Sequence, residues 1–153
     1  MSTVTVNFSP LTAHVRTARL VALAVARRAG VAEEMLDELR LAVGEACSRA
    51  VGIHVAHGGE EPVQMRLSDD RHTFAVEVTD VGTLDEDPAG VVDALDIAEM
   101  STHALDDETP DAMPSGFGLA VISGLVEDLV VTSEGGATKV RMVWPTRAPA
   151  RPG

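Results

Sequence analysis

Three short stretches of the chain combine residue types that are able to carry out chemistry. Glu45 and Arg49 stand four positions apart in a helical pattern, Asp80-Val81-Gly82 follows a strand-like run, and Gly116-Phe117-Gly118 precedes another helical pattern. A carboxylate can act as a general base. Glycines at the start of a helix offer backbone N–H groups to a phosphate. Any one of these stretches alone would not support a function.

Each stretch also has an ordinary structural interpretation. Glu45 and Arg49 at i, i+4 could be a surface ion pair on a helix. Asp-x-Gly after a strand is commonly a turn, and a single Gly-x-Gly before a helix is a weak signal. The functional interpretation therefore depends on the order of the three stretches and on the elements that carry them.

The first half of the chain predicts a strand and two helices. Residues 3–8 alternate and are rich in β-branched side chains, which is typical of a strand. Ser9 and Pro10 then predict a helix N-cap and first turn, and Gly30 predicts the end of that helix. A second helix is predicted from Glu33 to about His54. Both helices carry an apolar stripe at spacings of 3, 4, 3, 4: Val15, Ala18, Ala22, Val25 and Ala29 in the first, and Leu36, Leu39, Val43, Ala46 and Ala50 in the second.

The second half predicts two hairpins separated by helices. One hairpin pairs residues 63–67 with 74–78, and the other pairs 128–133 with 138–144. A short helix is predicted near residues 88–97 and a longer one after Gly116-Phe117-Gly118. The expected fold class is α+β, a two-layer sandwich in which a mixed, mostly antiparallel sheet carries helices on one face.

Composition limits the kind of protein this can be. The 153 residues are 45% hydrophobic and carry a net charge of −12, which argues against nucleic-acid binding. One cysteine, Cys47, excludes an internal disulfide framework and a cysteine-rich metal site. The start resembles no signal peptide, and the longest apolar block, residues 20–26, is too short to span a membrane. We expect one cytoplasmic domain over residues 1–145 and a disordered tail over 146–153.

The three stretches together resemble the RsbW-type anti-sigma factors. These are small serine protein kinases of the GHKL superfamily, which share the ATP-binding fold of histidine kinases and gyrase. Residues 41–54 are similar to the helix motif of that family, Asp80 and Gly82 to its adenine box, and Gly116 and Gly118 to its second glycine box. The resemblance covers residues 3–144.

The resemblance implies a role for each site residue. It implies ATP or ADP as the ligand, with the adenine amino group on Asp80 and with Thr138 supporting it. Gly82 would admit the ring, since a side chain there would collide with it. The backbone at Gly116 and Gly118 would bind phosphate, and Glu45 would be the base that activates a serine hydroxyl.

Three departures from the family pattern bear on this expectation. Arg49 replaces the asparagine that holds Mg²⁺ in the family, and a guanidinium cannot coordinate a cation, which argues against Mg²⁺ binding. We expect Arg49 to touch phosphate or to neutralise Glu45. No Lys or Arg occurs between His72 and Thr138, so the lid before the second glycine box carries only negative charge. Only Arg49, Lys139, His54 and His103 could supply positive charge for phosphoryl transfer. The adenine box also lacks its second glycine, since Thr83 follows Gly82.

The resemblance implies two protein partners: a sigma factor, and a STAS-fold anti-anti-sigma factor that counters the binding. The basic first helix would carry the contact surface, with Arg16 and Arg19 on a face that also holds Leu23 and Arg27. Family members are often dimers, which makes a homodimer an option. The alternatives are an active serine kinase with the same partners, a module that binds proteins without nucleotide, and a detached histidine-kinase catalytic domain.

Overall fold

The computed structural model describes residues 2–82, 118–126 and 128–146. Within them, five strands and three helices follow one another in the order β-α-α-β-β-α-β-β. The helices are α1 (Thr12–Ala29), α2 (Glu33–Ala56) and α3 (Gly118–Leu125), and the strands are β1 (Ser2–Phe8), β2 (Val63–Asp69), β3 (Thr73–Asp80), β4 (Asp128–Glu134) and β5 (Ala137–Pro145). The predicted short helix near residues 88–97 lies outside the described residues.

The described strands form one sheet in the order β1-β2-β3-β5-β4, and every neighbouring pair is antiparallel. Strict alternation decides which face of the sheet is covered. In β3, Phe74, Val76 and Val78 are fully or almost fully buried, and the following residue in the same register is Asp80. The helices pack on this face, with α2 between α1 and α3. The core therefore lies between α2 and one face of the sheet.

Both predicted apolar stripes point into this core. All five stripe residues of α2 are buried, as are Val15, Ala18 and Ala22 of α1. Small side chains let the two helices approach closely: beside Gly44, the Cδ atom of Arg19 lies 2.7 Å from the position that a Cβ atom would take. The scarcity of aromatic residues is thus compensated by close packing of Ala, Val and Leu.

The predicted start of α1 is wrong by two residues. The helix begins at Thr12 after Leu11, and no side chain caps it. Pro10 is buried, and the carbonyl oxygen of Ser9 accepts a hydrogen bond from the Leu11 N–H at 2.7 Å. The sequence Ser9-Pro10 therefore forms a turn before the helix, because proline restricts the preceding residue to extended backbone.

Thr146 at the start of the predicted tail contacts the body of the domain. Its N–H donates to the carbonyl oxygen of His72 at 2.8 Å, and it forms an isolated β-bridge with Val31. The rest of the tail lies outside the described residues. The C-terminal end of β5 is thus tied to the loop between α1 and α2.

We predict that Gly30→Ala lowers the free energy of unfolding by about 1 kcal/mol or more, because Gly30 has a left-handed φ of 100° where a Cβ atom is strained. The Gly30 N–H donates to Arg27 and the Val31 N–H to Ala26, which closes a Schellman motif. Urea unfolding measures the change. Gly124→Ala in α3 is the control, because nothing lies within 4 Å of its Cβ position; equal destabilisation by both variants would contradict the prediction.

Candidate functional site

The site lies where β3 ends and β5 begins, beside α2. Asp80 and Thr138 are register partners on these two strands, and both point to the covered face of the sheet. Each takes the position that an apolar residue would hold if the alternation continued. Two polar side chains placed next to each other under a helix need partners, because burying a polar group without a hydrogen bond is costly.

Arg49 of α2 supplies a partner for Asp80. Its Nη1 atom donates to the Asp80 Oδ2 atom at 2.6 Å, and the two side chains are 0% and 1% exposed. This charge-assisted bond joins the central helix to the end of the central strand. The sequence predicts phosphate or Glu45 as the partner of Arg49. It gives no indication that Asp80 is a partner, which the structure shows.

The turn after β3 is held by further hydrogen bonds inside the protein. The Gly82 N–H donates to the Asp80 Oδ1 atom at 2.7 Å, and the Thr138 hydroxyl donates to the Gly82 carbonyl oxygen at 2.7 Å. The Val81 N–H donates to the Nε2 atom of His54 at 3.1 Å. Both carboxylate oxygens of Asp80 therefore accept a hydrogen bond from the protein itself.

His54, which the sequence offered only as a possible source of positive charge, is a structural residue of the site. It is 2% exposed, and its Nδ1 atom lies 2.8 Å from the carbonyl oxygen of Glu61. A carbonyl oxygen only accepts, so Nδ1 carries the proton and Nε2 is free to accept from Val81. The position of His54 in the last turns of the motif helix was the available signal. Its ring connects α2, the Asp80 turn and the loop before β2.

Burial governs the electrostatics of the pair. Burial raises the pKa of Asp80 above its ordinary value, although the Gly82 N–H and the Arg49 guanidinium act in the opposite direction. A raised folded pKa means that the contribution of this carboxyl group to stability is lost as the pH rises through that pKa. At neutral pH the ionised pair therefore carries a desolvation cost, and its close geometry serves to limit that cost.

The remaining predicted site residues are distributed over three elements. Glu45 is fully buried one helical turn before Arg49. Gly118 is the first residue of α3, which packs on α2; Gly116 and His103 lie outside the described residues. Lys139 is exposed and follows Thr138 in β5, so it lies on the opposite face of the sheet.

The predicted partner surface on α1 is partly different from expectation. Arg16 and Arg27 are exposed, whereas Arg19 is half-buried and its side chain lies against Gly44 of α2. Arg19 is thus at the border between the apolar stripe and the exposed face. Leu20, which the sequence did not single out, is 60% exposed on that same face.

Cys47 lies in the core close to this border. Burial raises the pKa of its thiol to about 12, against the opposing effect of Arg19. A thiol of that pKa stays protonated at neutral pH and is not a reactive nucleophile. The prediction that Cys47 is a small core residue is supported.

Comparison with known proteins identifies the domain type. The family model for the histidine kinase-like ATPase domain matches residues 8–144. No curated protein sequence matches the chain. The expected fold class is confirmed by this match and by the antiparallel sheet with its helices.

Two solved structures share the fold at low sequence identity. The crystal structure of the RsbU and RsbW domains of Rv1364c from Mycobacterium tuberculosis has a TM-score of 0.64 at 15% identity, over 99% of this chain and 34% of that one. The present chain therefore spans about a third of that protein. A chain of the SiaB–SiaC complex from Pseudomonas aeruginosa has a TM-score of 0.58 at 11% identity, over 92% and 88% of the two chains.

Among the helices of the described residues, none has both the length and the apolar character that a membrane span needs.

We predict that Arg49→Met and Asp80→Asn each lower the free energy of unfolding by about 3–5 kcal/mol, because each leaves a buried group of the pair without its partner. The double variant should lose less than the sum of the two by about 1 kcal/mol or more. Urea unfolding of the four proteins measures this coupling.

The matched control for this cycle is the pair of Arg141 and Glu77 on the open face of the sheet. Their side chains are 41% and 16% exposed, and the bond is 3.2 Å long. Arg141→Met and Glu77→Gln should cost only about 0–1 kcal/mol each. Additive losses for Arg49 and Asp80, indistinguishable from this control, would show that the buried pair is not coupled.

We predict that His54→Ala accelerates hydrogen exchange at the Val81 amide by about fivefold, which corresponds to a net hydrogen bond of ~1 kcal/mol. Exchange monitored by NMR measures it, with His57→Ala, at the exposed end of the same helix, as the control. Unchanged exchange at Val81 in a folded His54→Ala protein would contradict the assigned role.

Proposed function

Because this chain belongs to the histidine kinase-like ATPase domain family, we propose that it is a regulator of the anti-sigma type. It binds a sigma factor and is countered by a STAS-fold anti-anti-sigma partner. The fold shared with a protein that contains an RsbW domain is in keeping with the resemblance seen in the sequence. A fold alone does not define a function, so the proposal depends on the surface of α1.

The observation that carries the proposal is the composition and placement of that surface. We call Arg16, Arg19, Leu20, Leu23 and Arg27 the α1 surface. Helix α1 contains four arginines and no acidic residue, in a chain whose net charge is −12. Exposed Leu20 lies among the arginines. An apolar side chain bordered by arginines is the composition expected of a protein-binding site.

Arg19 is the best candidate for the centre of this surface. Its half-buried stem rests against Gly44, so the side chain is partly ordered before any partner arrives. Ordering a long side chain in advance reduces the entropy lost on binding. A guanidinium held in this way can grip a partner carboxylate through two hydrogen bonds.

The proposed function does not include phosphoryl transfer. Such transfer requires positive groups around the migrating phosphate. Arg49 is bonded to Asp80, and Lys139 lies on the other face of the sheet. The lid sequence contains no Lys or Arg, and its Asp and Glu residues are negatively charged. These features support a role that depends on binding to proteins.

We predict that Arg19→Ala weakens the affinity for the sigma factor by about 2 kcal/mol or more, because a partly buried arginine is a typical hot spot. Calorimetric titration with the cognate sigma factor measures it, and thermal unfolding shows whether the variant is folded. The matched control is Arg28→Ala, which removes an exposed arginine two and a half turns from Arg19, on the opposite side of the same helix.

A second variant perturbs Arg19 without changing any charge. In Gly44→Ala the new Cβ atom would lie 2.7 Å from the Arg19 Cδ atom, which forces that side chain to move. Its affinity should fall in the same direction as that of Arg19→Ala. If folded Arg19→Ala, Gly44→Ala and Arg28→Ala all bind the sigma factor like the wild type, the α1 surface is not the binding site.

A further inference from the structure

An ATPase domain needs a group that recognises adenine, and the resemblance assigns this role to Asp80. Adenine presents an amino donor, for which a carboxylate oxygen is a suitable acceptor. The fit can be tested on the residues themselves. Asp80 is in a suitable place, at the end of a strand beside Gly82 and Thr138.

The carboxylate of Asp80 is buried, and each of its oxygens already accepts a hydrogen bond from the protein. Its Oδ1 atom accepts from the Gly82 N–H, and its Oδ2 atom accepts from Arg49 at 2.6 Å. The side chain is 1% exposed. Because the Arg49 and Asp80 side chains are 0% and 1% exposed, an adenine base could reach this carboxylate only by moving Arg49 aside. Moving it would leave an uncompensated charge in the core.

The backbone beside Asp80 is also engaged. The Val81 N–H donates to His54, and the Gly82 carbonyl oxygen accepts from Thr138. These bonds hold the turn in one conformation. Opening the turn for a base would break several hydrogen bonds at once, and buried networks of this kind are costly to leave partly satisfied.

We infer that Arg49 acts as an internal substitute for adenine: it occupies the acceptor of Asp80 and keeps the nucleotide site of this domain closed. Arg49 is then a specificity-determining residue that excludes adenine nucleotides. The chain binds its protein partners without nucleotide. The inference rests on the family and on the geometry of Asp80, and it does not depend on which protein is the partner.

The test is the binding of ADP in the presence of EDTA, which removes any contribution of a metal ion. Wild-type protein should show no saturable binding by calorimetry at millimolar ADP, and no shift of the Gly82 amide signal in NMR. Arg49→Asn frees the acceptor of Asp80 and should bind ADP at least about tenfold more tightly, which corresponds to the ~1.4 kcal/mol of one hydrogen bond to a charged group. Adding Asp80→Asn to this variant should abolish the gain.

The matched control is Arg40→Asn, which makes the same change on α2 about 13 Å along the helix from Arg49. It should bind ADP no better than the wild type. If Arg49→Asn does not fold, Arg49→Lys replaces it in the experiment. This variant keeps a positive charge but lacks the planar fork, so a smaller gain in ADP affinity is expected.

Tight ADP binding by the wild type with a shift at Gly82 would overturn the inference, as would the absence of any gain in ADP affinity in the folded variant.

Discussion

The ion pair between Arg49 and Asp80 is the constraint on which the other contacts of the site depend. It joins α2, the central helix, to the end of β3 through a 2.6 Å bond between two buried side chains. Neither charge is tolerable in the core alone. The pair therefore fixes the position of α2 relative to the sheet, and a shift of either element would expose an uncompensated charge.

The Arg49–Asp80 pair also links the turn that ends at Gly82 to the part of α2 that supports the α1 surface. One turn before Arg49, Gly44 and Glu45 lie on the same helix, and Gly44 supports the side chain of Arg19 on α1. On the other side, Asp80 is bonded to the turn that ends at Gly82. A single helix thus carries both Arg49, which we propose closes the nucleotide site, and Gly44, which supports the α1 surface. This arrangement suits a domain whose proposed role is to bind proteins.

The fold followed largely from the sequence, because alternation and the 3, 4, 3, 4 stripes report directly which face of each element is buried. Asp80, Gly82 and Thr138 come together as the resemblance implied, since register places Asp80 opposite Thr138. What could not be predicted were the tertiary partners. Spacing along α2 relates Arg49 to Glu45 but carries no information about a strand 31 residues away. The same holds for His54, whose partners Val81 and Glu61 meet only in the folded chain.

The most direct test of the closed site is a crystal structure of the wild-type protein grown with millimolar ADP and Mg²⁺. The account predicts that Arg49 and Asp80 stay within hydrogen-bond distance and that no adenine lies against Asp80. An adenine amino group on the Asp80 carboxylate, with the Arg49 side chain turned away, would contradict it.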